Sequence, residues 1–255
     1  MKYFFFDIDG TLTDLRTGRM VPSALETLRR LEAAGHVTAI ASGRAYYKTV
    51  PAARQAGIHN FVANGGAALV IDDRLVCNRP LDRGRALQLI HEADALGYGI
   101  LIAVDDSPAV VLRDDRFLRQ AGERREPTRY LRRPDLDFDS LPEIYKIYIS
   151  VPKEEEGRLQ NLDLLGHIRF EPSYLTYQHD EKDRGIRDLV RRMGGRVEDV
   201  VVFGDGENDM VMFRPEWTSI AMGGGWPALR EQADYVTDAA GDDGIRNACR
   251  HFGWI

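Results

Sequence analysis

The sequence has 255 residues, enough for one large domain or two small ones with a sizeable hydrophobic core. Its net charge of -6 at pH 7 gives no support for non-specific nucleic-acid binding, and no apolar stretch approaches the length of a membrane span. The two cysteines, Cys77 and Cys249, are far apart and argue against a disulfide framework or a zinc site. With no signal-peptide-like start, these features favour a cytoplasmic location.

A short aromatic run, Tyr3 to Phe6, predicts a buried parallel strand. It leads into Asp7-Ile8-Asp9-Gly10-Thr11, where two carboxylates enter a turn that glycine permits. Asp7 would then lie at the carboxyl end of the strand, where open α/β sheets bind ligands. Asp7 and Asp9 would project from the same side if the strand geometry continued. A plain polar turn is one alternative; a calcium loop is another, and it fails because Leu12 stands where that loop needs glycine.

The next elements continue an alternation of helices and strands. A helix is predicted to begin at Pro22, with Ser23 and Glu26 at the spacing of a capping box. The segment Val37-Thr38-Ala39-Ile40-Ala41 predicts a second buried strand, which leads into Ser42-Gly43-Arg44.

A third strand and a hairpin complete this first part of the chain. A helix is predicted over Ala45 to Ala56, bent or interrupted near Pro51. Phe61 to Ala63 predicts a short strand that ends in Asn64-Gly65-Gly66, and Ala67 to Cys77 predicts a hairpin around two aspartates. The β-α-β-α-β order indicates a parallel sheet.

The pattern changes near Arg79 and resumes near Gln178, which indicates an inserted α+β domain. We therefore assign residues 1–79 and 180–255 to a discontinuous core domain and residues 80–179 to the insert. The predicted elements of the insert are a helix over Arg83 to Leu96, strands over Gly99 to Val104 and Ala109 to Leu112, helix and loop over Arg113 to Arg133, a strand over Glu143 to Val151, a helix over Lys153 to Leu162, and strands over Ile168 to Phe170 and Tyr174 to Tyr177.

The last part of the chain returns to the parallel pattern. A helix is predicted over Asp183 to Met193, followed by a buried strand over Asp199 to Phe203. That strand runs into Gly204-Asp205-Gly206-Glu207-Asn208-Asp209, and a helix is predicted over Asn208 to Phe213. A further strand, Trp217 to Met222, ends in three glycines.

Polar residues thus follow four predicted parallel strands, and a lysine precedes the helix that restarts the core; the residues are Asp7 and Asp9, Ser42, Asn64, Asp205 with Asp209, and Lys182. In a doubly wound sheet they would converge on one crevice. Aspartate oxygens hold hard cations such as Mg2+. The cation and the lysine would offset the charge of a phosphoryl group, and a free carboxylate could attack phosphorus. The set therefore suits phosphoryl transfer.

Each residue taken singly has a simpler explanation. Ser42 is explained as a helix cap, Asn64 as a turn residue, Lys182 as a solvated lysine and Asp209 as a first-turn acid. Only the joint pattern favours a site, and it does so for the acids and the lysine. Arg44 would either contact substrate or pair with an acid, and it is left outside the predicted catalytic set.

The ordered motifs resemble those of haloacid dehalogenase (HAD) phosphatases: Asp7-Ile8-Asp9-Gly10-Thr11, Ser42-Gly43-Arg44, Lys182, and Gly204 to Asp209. Asn64-Gly65-Gly66, the position of the insert, and the segments Ala233 to Thr237 and Asp243 to Ile245 are similar to the Cof-like subgroup, HAD-IIB. The resemblance implies an α/β fold with a doubly wound parallel-sheet, Rossmann-like core and an inserted α+β C2-type cap domain.

The resemblance also implies a role for each motif residue. Asp7 would be the nucleophile that forms an aspartyl-phosphate. Asp9 would protonate the leaving oxygen and later deprotonate water, while its backbone carbonyl binds the metal. Ser42 would hydrogen-bond the phosphoryl oxygens, and Lys182 would neutralise the phosphate and Asp7. The implied Mg2+ ligands are Asp7, Asp9, Asp205 and Asp209, the last directly or through water; further phosphate- or substrate-binding residues would be Gly43, Asn64 and Asn208.

Two departures from the subgroup pattern concern the neighbourhood of this set. Asp183 follows Lys182 where the subgroup usually has glycine, so a negative charge could tune the lysine. Arg184 precedes Gly185 and was the alternative to Lys182, but the distance to the end of the helix favours Lys182. Gly223-Gly224-Gly225 stands where the subgroup usually has Gly-Asn-Ala, so a side-chain contact near the phosphate or the cap would be missing.

The implied function is a Mg2+-dependent phosphomonoester hydrolase acting on small phosphorylated metabolites, with sugar phosphates as the first class. A phosphomutase using the same aspartyl-phosphate is an alternative, although the position of the insert argues against it. A non-catalytic protein that binds phosphorylated ligands is another, although the presence of both Asp7 and Asp9 argues against that. The expected partner is a small phosphorylated metabolite, not nucleic acid or a membrane; monomer and homodimer both remain open.

Overall fold

The computed structural model describes all residues from Met1 to Ile255. Its strands are β1 (Tyr3–Phe6), β2 (Thr13–Asp14), β3 (Arg19–Met20), β4 (Val37–Ala41), β5 (Asn60–Ala63), β6 (Ala68–Ile71), β7 (Arg74–Asn78), β8 (Ile100–Ala103), β9 (Ala109–Leu112), β10 (Arg129–Arg132), β11 (Lys146–Ile149), β12 (His167–Glu171), β13 (Tyr174–Tyr177), β14 (Val200–Gly204), β15 (Thr218–Ala221) and β16 (Tyr235–Val236). Its α-helices are α1 (Pro22–Ala33), α2 (Tyr46–Ala56), α3 (Arg83–Ala95), α4 (Arg116–Ala121), α5 (Lys182–Arg192), α6 (Pro227–Gln232) and α7 (Gly244–His251).

The chain divides into two compact units. The core unit comprises Met1–Asn78 and Glu181–Ile255, and the inserted unit comprises Arg79–Asp180. Each junction lies one residue from the boundary assigned from the sequence. None of the helices combines the length and the apolar character that a membrane-spanning segment needs.

An eight-stranded sheet in the order β16-β15-β14-β1-β4-β5-β6-β7 forms the centre of the core unit. The strands from β16 to β5 are parallel, and the β6–β7 hairpin adds two antiparallel strands at one edge. This is the α/β fold with a doubly wound parallel sheet that the motif order predicted.

Strand β1 shows why the sheet is covered on both faces. Phe4 and Phe6 pack into one apolar cluster with residues of α1, α2 and α7, whereas Tyr3 and Phe5 pack into a second cluster with residues of α5. Side chains of a strand alternate between faces, so an uninterrupted apolar run requires a hydrophobic layer on each side. The aromatic run therefore places β1 in the middle of the sheet, between β14 and β4.

The inserted unit has its own six-stranded sheet, in the order β10-β9-β8-β11-β13-β12. All pairs are antiparallel except β9 with β10. Helix α3 packs into an apolar cluster with Ile100 and Ile102, while Phe117 of α4 packs into another with Leu101 and Ala103. The insert is thus α+β with its own hydrophobic interior.

The predicted start of α1 is correct, but the predicted capping box is wrong. Val21 is the N-cap residue and makes no side-chain cap, Pro22 occupies the first helical position, and the Ser23 hydroxyl is buried without a hydrogen-bond partner. Proline is favoured at this position because its ring presets the helical φ and it has no N–H to satisfy. Its presence there moves Ser23 inside the first turn, where it cannot cap.

Three further predicted elements differ from the structure. The region from Lys153 to Leu162 contains a 3₁₀ helix over Lys153–Arg158, not the predicted α-helix. The segment after β14 is also a 3₁₀ helix, Glu207–Met212. The arginine-rich region from Arg113 to Arg133 includes the unpredicted strand β10, an edge strand whose end residues are exposed arginines. Such a strand lacks the apolar pattern on which a prediction depends.

Candidate active site

The core sheet brings the predicted polar residues to one edge. Asp7 follows β1, Ser42 follows β4, Asn64 follows β5 and Asp205 follows β14. These four strands are adjacent and parallel, in the order β14-β1-β4-β5. Because the carboxyl ends of parallel strands point the same way, the four loops lie side by side, as is usual for ligand sites in open α/β sheets.

The turn after β1 separates the two motif aspartates. The strand ends at Phe6, so the condition for Asp7 and Asp9 to share one side is not met. Asp7 is 6% exposed, whereas the Asp9 side chain is 56% exposed. The Asp9 backbone N–H donates to Asp7 Oδ2 at 3.0 Å, which holds the first carboxylate at the turn.

The same turn packs directly against Asp205. The φ of Gly10 is +79°, and a Cβ there would lie 2.1 Å from Asp205 Oδ2. The Thr11 hydroxyl donates to Asp205 Oδ1 at 3.1 Å. A glycine is therefore required on two grounds, the left-handed backbone and the space that the Asp205 carboxylate occupies.

A buried lysine joins the two segments of the core unit at Asp7. Lys182 is the first residue of α5, and its ammonium donates to Asp7 Oδ1 at 2.8 Å and to Asp209 Oδ1 at 2.6 Å. Its side chain is 1% exposed. A buried lysine needs such partners, since an unpaired ammonium away from water is very unfavourable. The alternative that Lys182 is a solvated surface lysine is excluded.

Asp209 also organises the loop after β14. Its second oxygen, Oδ2, accepts hydrogen bonds from the backbone N–H groups of Asp205 and Gly206, both at 2.9 Å. Asp209 is fully buried. Its carboxylate thus connects the lysine to the loop that carries Asp205.

The charges of this cluster do not balance. Oxygen atoms of Asp7, Asp205 and Asp209 all lie within 4.8 Å of one another, with Lys182 as their ammonium partner. Burial, with Asp209 nearby, raises the pKa of Asp7 to about 7, and the same two causes raise the pKa of Asp205 to about 7. Burial by itself would lower the pKa of Lys182, but the charges of Asp209 and Asp7 outweigh it and raise that pKa. The raised pKa values of the two aspartates thus reflect burial together with the crowding of three carboxylates around one ammonium, and the raised pKa of Lys182 reflects the same carboxylates.

This arrangement fits a divalent metal ion. The cluster offers carboxylate oxygens, which hard cations such as Mg2+ prefer, and it carries surplus negative charge in a buried setting. Asp7, Asp205 and Asp209 are the residues that could hold the ion. The Asp9 carboxylate lies outside this group, as expected if only its backbone carbonyl were to reach the metal.

Comparison with known proteins points to the same family that the sequence motifs indicate. A family profile described as haloacid dehalogenase-like hydrolase matches residues 4–248. The chain belongs to the haloacid dehalogenase-like hydrolases. The resemblance found in the sequence is thereby confirmed.

Individual HAD relatives match along the whole chain. The chain is 29% identical over 257 residues to a putative phosphatase, YkrA, of Bacillus subtilis, covering 100% of this chain and 98% of the relative. It is 29% identical over 259 residues to a phosphoglycolate phosphatase of Methanothermobacter thermautotrophicus, covering 100% of both. The fold matches that of a HAD subclass IIB sugar phosphatase with a TM-score of 0.79 at 24% identity, covering 100% of both chains. Together the matches identify an enzyme of the HAD phosphatase type.

Arg44, which is not among the predicted catalytic residues, also lies at the HAD site. Its guanidinium donates to both oxygens of Asp9, from Nε at 2.9 Å and from Nη2 at 2.5 Å. Of the two roles considered, the structure shows pairing with an acid. Its position two residues after Ser42, in a loop predicted to lie at the site, is the feature of the sequence that points to Arg44.

The remaining predicted site residues lie in loops at the same edge. The Ser42 hydroxyl accepts from the Arg44 backbone N–H at 3.1 Å, inside its own loop, and Gly43 is half-buried there. Ser42 does not cap α2, whose N-cap residue is Ala45. Asn64 is buried, and its side-chain NH2 donates to Asn78 at 3.2 Å. Asn208 is half-buried in the 3₁₀ helix that also carries Asp209.

The structure shows what surrounds the two departures from the HAD subgroup pattern, Asp183 and Gly223-Gly224-Gly225. The Asp183 carboxylate accepts two hydrogen bonds from Arg214, at 3.0 and 2.5 Å, so its charge is paired away from the lysine. Directly after the three glycines, the Trp226 backbone N–H donates to the Asp205 carbonyl at 2.7 Å, so this segment is joined through the main chain to the loop that follows β14. Neither departure alters a carboxylate of the cluster.

Proposed function

We propose that the protein is a Mg2+-dependent phosphomonoester hydrolase that works through an aspartyl-phosphate on Asp7. The observation that carries the proposal is the setting of Asp7: a buried carboxylate at a strand end, held by Lys182 on one oxygen and by the Asp9 N–H on the other. A carboxylate held in one orientation is suited to in-line attack, because positioning removes much of the entropic barrier.

The reaction divides into two displacements. In the first, an Asp7 oxygen bonds to phosphorus, the bond to the leaving oxygen breaks, and Asp9 gives that oxygen a proton. In the second, water attacks the same phosphorus, Asp9 takes its proton, and the bond to Asp7 breaks to release phosphate. Asp9 fits the acid–base part because its exposed carboxylate lies two residues from the nucleophile and outside the carboxylate cluster. Both of its oxygens accept hydrogen bonds from Arg44, so one oxygen has to leave Arg44 to carry the proton.

Positive charge is the second requirement of phosphoryl transfer. The ammonium of Lys182 lies within hydrogen-bond distance of Asp7, where it would offset charge on the phosphoryl oxygens. Mg2+ held by Asp7, Asp205 and Asp209 would supply the remaining charge stabilisation. Ser42 and Asn64, at the ends of the neighbouring strands, are proposed to bind phosphate or order the loops around it, with Gly43 and Asn208 beside them.

A small phosphorylated metabolite is the proposed substrate. A full-length relative is named as a phosphoglycolate phosphatase, which supports a small substrate. Sugar phosphates are the first class to test, because the Cof-like resemblance implies them. We propose that the inserted unit, Arg79–Asp180, is the cap domain that selects the leaving group, so substrate choice would depend on a part of the chain without recognisable motifs.

Phosphate release across a substrate panel tests the proposal. The panel comprises sugar phosphates, phosphoglycolate, nucleotides, cofactor phosphates and an aryl phosphate, each with Mg2+ or with EDTA. Asp7→Asn is the test variant and Asp183→Asn the matched control, because Asp183 is paired to Arg214 away from the cluster. We expect Mg2+-dependent release that Asp7→Asn abolishes and Asp183→Asn retains. Release of no phosphate from any ester by folded protein would contradict the proposal, and recovery of an isomerised ester would indicate a mutase.

A further inference from the structure

The turn Asn64-Gly65-Gly66 connects two loops of the site through its backbone. The Asn64 N–H donates to the Arg44 carbonyl at 2.6 Å, and the Gly65 N–H donates to the Ser42 carbonyl at 3.1 Å. On the other side, the Gly65 carbonyl accepts from the Glu181 N–H at 2.7 Å, immediately before Lys182. One short turn therefore links the loop of Arg44 to the start of the helix that carries the lysine.

Two glycines allow the turn and helix α5 to touch at the backbone. A Cβ on Gly66, whose φ is +104°, would lie 2.0 Å from the Glu181 carbonyl oxygen. A Cβ on Gly185 would lie 2.9 Å from Gly66 Cα and 2.5 Å from Val62 Cγ1. No side chain fits between the two segments, so the depth at which α5 sits against the sheet is set by glycine on both sides.

The depth of α5 matters because Lys182 is its first residue. The Lys182 ammonium reaches Asp7 at 2.8 Å and Asp209 at 2.6 Å from a fully buried position. Packed interiors transmit a displacement of this kind, because the surrounding side chains leave little free space to absorb it. Moving the helix outward by a few tenths of an ångström would lengthen both contacts.

We infer that the contact between Gly66 and Gly185 sets the position of the Lys182 ammonium over Asp7, and that both glycines are positioning residues for phosphoryl transfer. The inference rests on the function proposed above. The two glycines touch no reacting atom; they act through the lysine. The same turn also holds the backbone of Arg44. It therefore supports both side chains that pair with the motif aspartates: Lys182, which pairs with Asp7, and Arg44, which pairs with Asp9.

A double-mutant cycle distinguishes action through the lysine from a general structural role. Gly185→Ala is compared in the wild-type and Lys182→Ala backgrounds, with Gly157→Ala as the control, because a Cβ on Gly157 would meet nothing within 4 Å. Displacement of a catalytic group by a fraction of an ångström is expected to lower kcat about tenfold for Gly185→Ala in the wild-type background. In the Lys182→Ala background the same change is expected to alter kcat by no more than about twofold, since the coupled group is gone. An equal loss in both backgrounds would overturn the inference.

A second measurement does not depend on activity. Removing the ammonium leaves the carboxylates more negative, so Lys182→Ala is expected to bind Mg2+ more tightly by calorimetry. Gly185→Ala should shift the Mg2+ affinity in the same direction by a smaller factor, and Gly157→Ala should not shift it. An unchanged Mg2+ affinity in Gly185→Ala would count against the inference. Because this readout does not require phosphate release, failure of the inference can be distinguished from failure of the proposed function.

A third variant covers the case in which Gly185→Ala does not fold. Val62→Ala with Gly185→Ala removes the nearest obstacle, at 2.5 Å, and keeps the approach to Gly66. We expect this variant to fold and still show the shifted Mg2+ affinity and the lysine-dependent loss of kcat. Wild-type behaviour in both measurements would overturn the role of the Gly66–Gly185 contact.

Discussion

The Arg44 guanidinium donates two hydrogen bonds to the Asp9 carboxylate, one to each oxygen. The arginine side chain is 36% exposed and the aspartate 56%, so water screens the pair. Pairs this exposed contribute about 0–1 kcal/mol to stability. The main consequence of the pair is the orientation of Asp9, because a bidentate guanidinium fixes the plane in which the carboxylate lies. Arg44 should therefore affect how Asp9 meets a leaving group more than it affects folding.

Replacing Arg44 should lower activity according to the leaving group. We expect Arg44→Ala to reduce kcat roughly tenfold or more on an alkyl phosphate, because general acid catalysis supplies large factors where the leaving oxygen needs a proton. The loss on an activated aryl phosphate should be small, since that leaving group departs without protonation. Steady-state kinetics on the two esters, with melting temperatures alongside, checks both expectations.

Two variants control this comparison. Asp9→Asn should show the same dependence on leaving group in stronger form, because it removes the acid itself. Arg44→Lys keeps the charge but loses the bidentate geometry, so it should lie between Arg44→Ala and wild type. Equal losses on both esters for Arg44→Ala would mean that Arg44 does not act through Asp9.

The carboxylate cluster predicts a pH-dependent response to Mg2+. The pKa values of Asp7 and Asp205 are raised from 3.8 to about 7, so the folded protein binds these protons more tightly than the unfolded chain. The resulting stability is fully present below about pH 4 and is lost as the pH rises through about 7. Mg2+ replaces the lost protons as a source of positive charge. The rise in melting temperature on adding Mg2+ should therefore be larger at pH 8 than at pH 5.

Differential scanning at the two pH values, with Mg2+ or with EDTA, measures this effect. Comparing the change caused by Mg2+, and not the melting temperature itself, cancels titrations elsewhere in the chain. Asp7→Asn should reduce the pH dependence, because one of the crowded carboxylates is gone. A Mg2+ effect of equal size at pH 5 and pH 8 would show that the cluster does not control it.

Removing the charge of Lys182 should destabilise the protein strongly. Lys182→Met keeps much of the side-chain length but leaves three carboxylates without their ammonium, and breaking such a buried pair typically costs about 3–5 kcal/mol. The loss should be largest at pH 8 in EDTA and smaller at pH 5 or with Mg2+, where protons or the metal restore charge balance. Denaturant unfolding measures it, with the exposed Lys153→Met as control. A stability change equal to that of the control would contradict the ion network.

Much of the core could be predicted from the sequence because its signals are local. The run Tyr3 to Phe6 is continuous and apolar, and Val37 to Ala41 is apolar except for Thr38; each corresponds to a strand covered on both faces. The order of strands and helices then implies one sheet edge for the loops that follow, so Asp7 and Asp205 could be expected together despite their distance in the sequence.

Other features depend on tertiary partners that no local pattern reveals. Asp183 pairs with Arg214, which is 31 residues away, and Arg44 pairs with Asp9, which is 35 residues away. Gly185 has to be glycine because the backbone of Gly66, in the turn after β5, lies where a Cβ would project. The predicted helix over Lys153 to Leu162 is wrong as well: the structure has a 3₁₀ helix over Lys153–Arg158, in which Glu155 accepts a hydrogen bond from the distant Tyr98 hydroxyl at 2.6 Å.

The pairing of Asp183 predicts that this departure from the subgroup is nearly silent. Asp183→Asn removes the partner of Arg214 at a site where the arginine side chain is 43% exposed. We expect a stability loss of about 1 kcal/mol or less, as for other surface pairs, and kcat within about twofold of wild type. Thermal denaturation and steady-state kinetics check this. A large change in kcat without a change in stability would show that Asp183 does tune Lys182.

Gly10 and Gly18 form a matched pair for testing how the first turn supports the metal site. Both have positive φ, +79° and +66°, so alanine at either position strains the backbone by about 1–2 kcal/mol. Only at Gly10 would the new Cβ collide with Asp205, 2.1 Å from Oδ2, whereas nothing lies within 4 Å at Gly18. We expect both variants to lose stability, but only Gly10→Ala to weaken Mg2+ binding, by at least about tenfold, because it displaces a carboxylate ligand. Calorimetric titration with Mg2+ tests this, and equal affinities in the two variants would show that the Gly10 contact does not hold Asp205 in place.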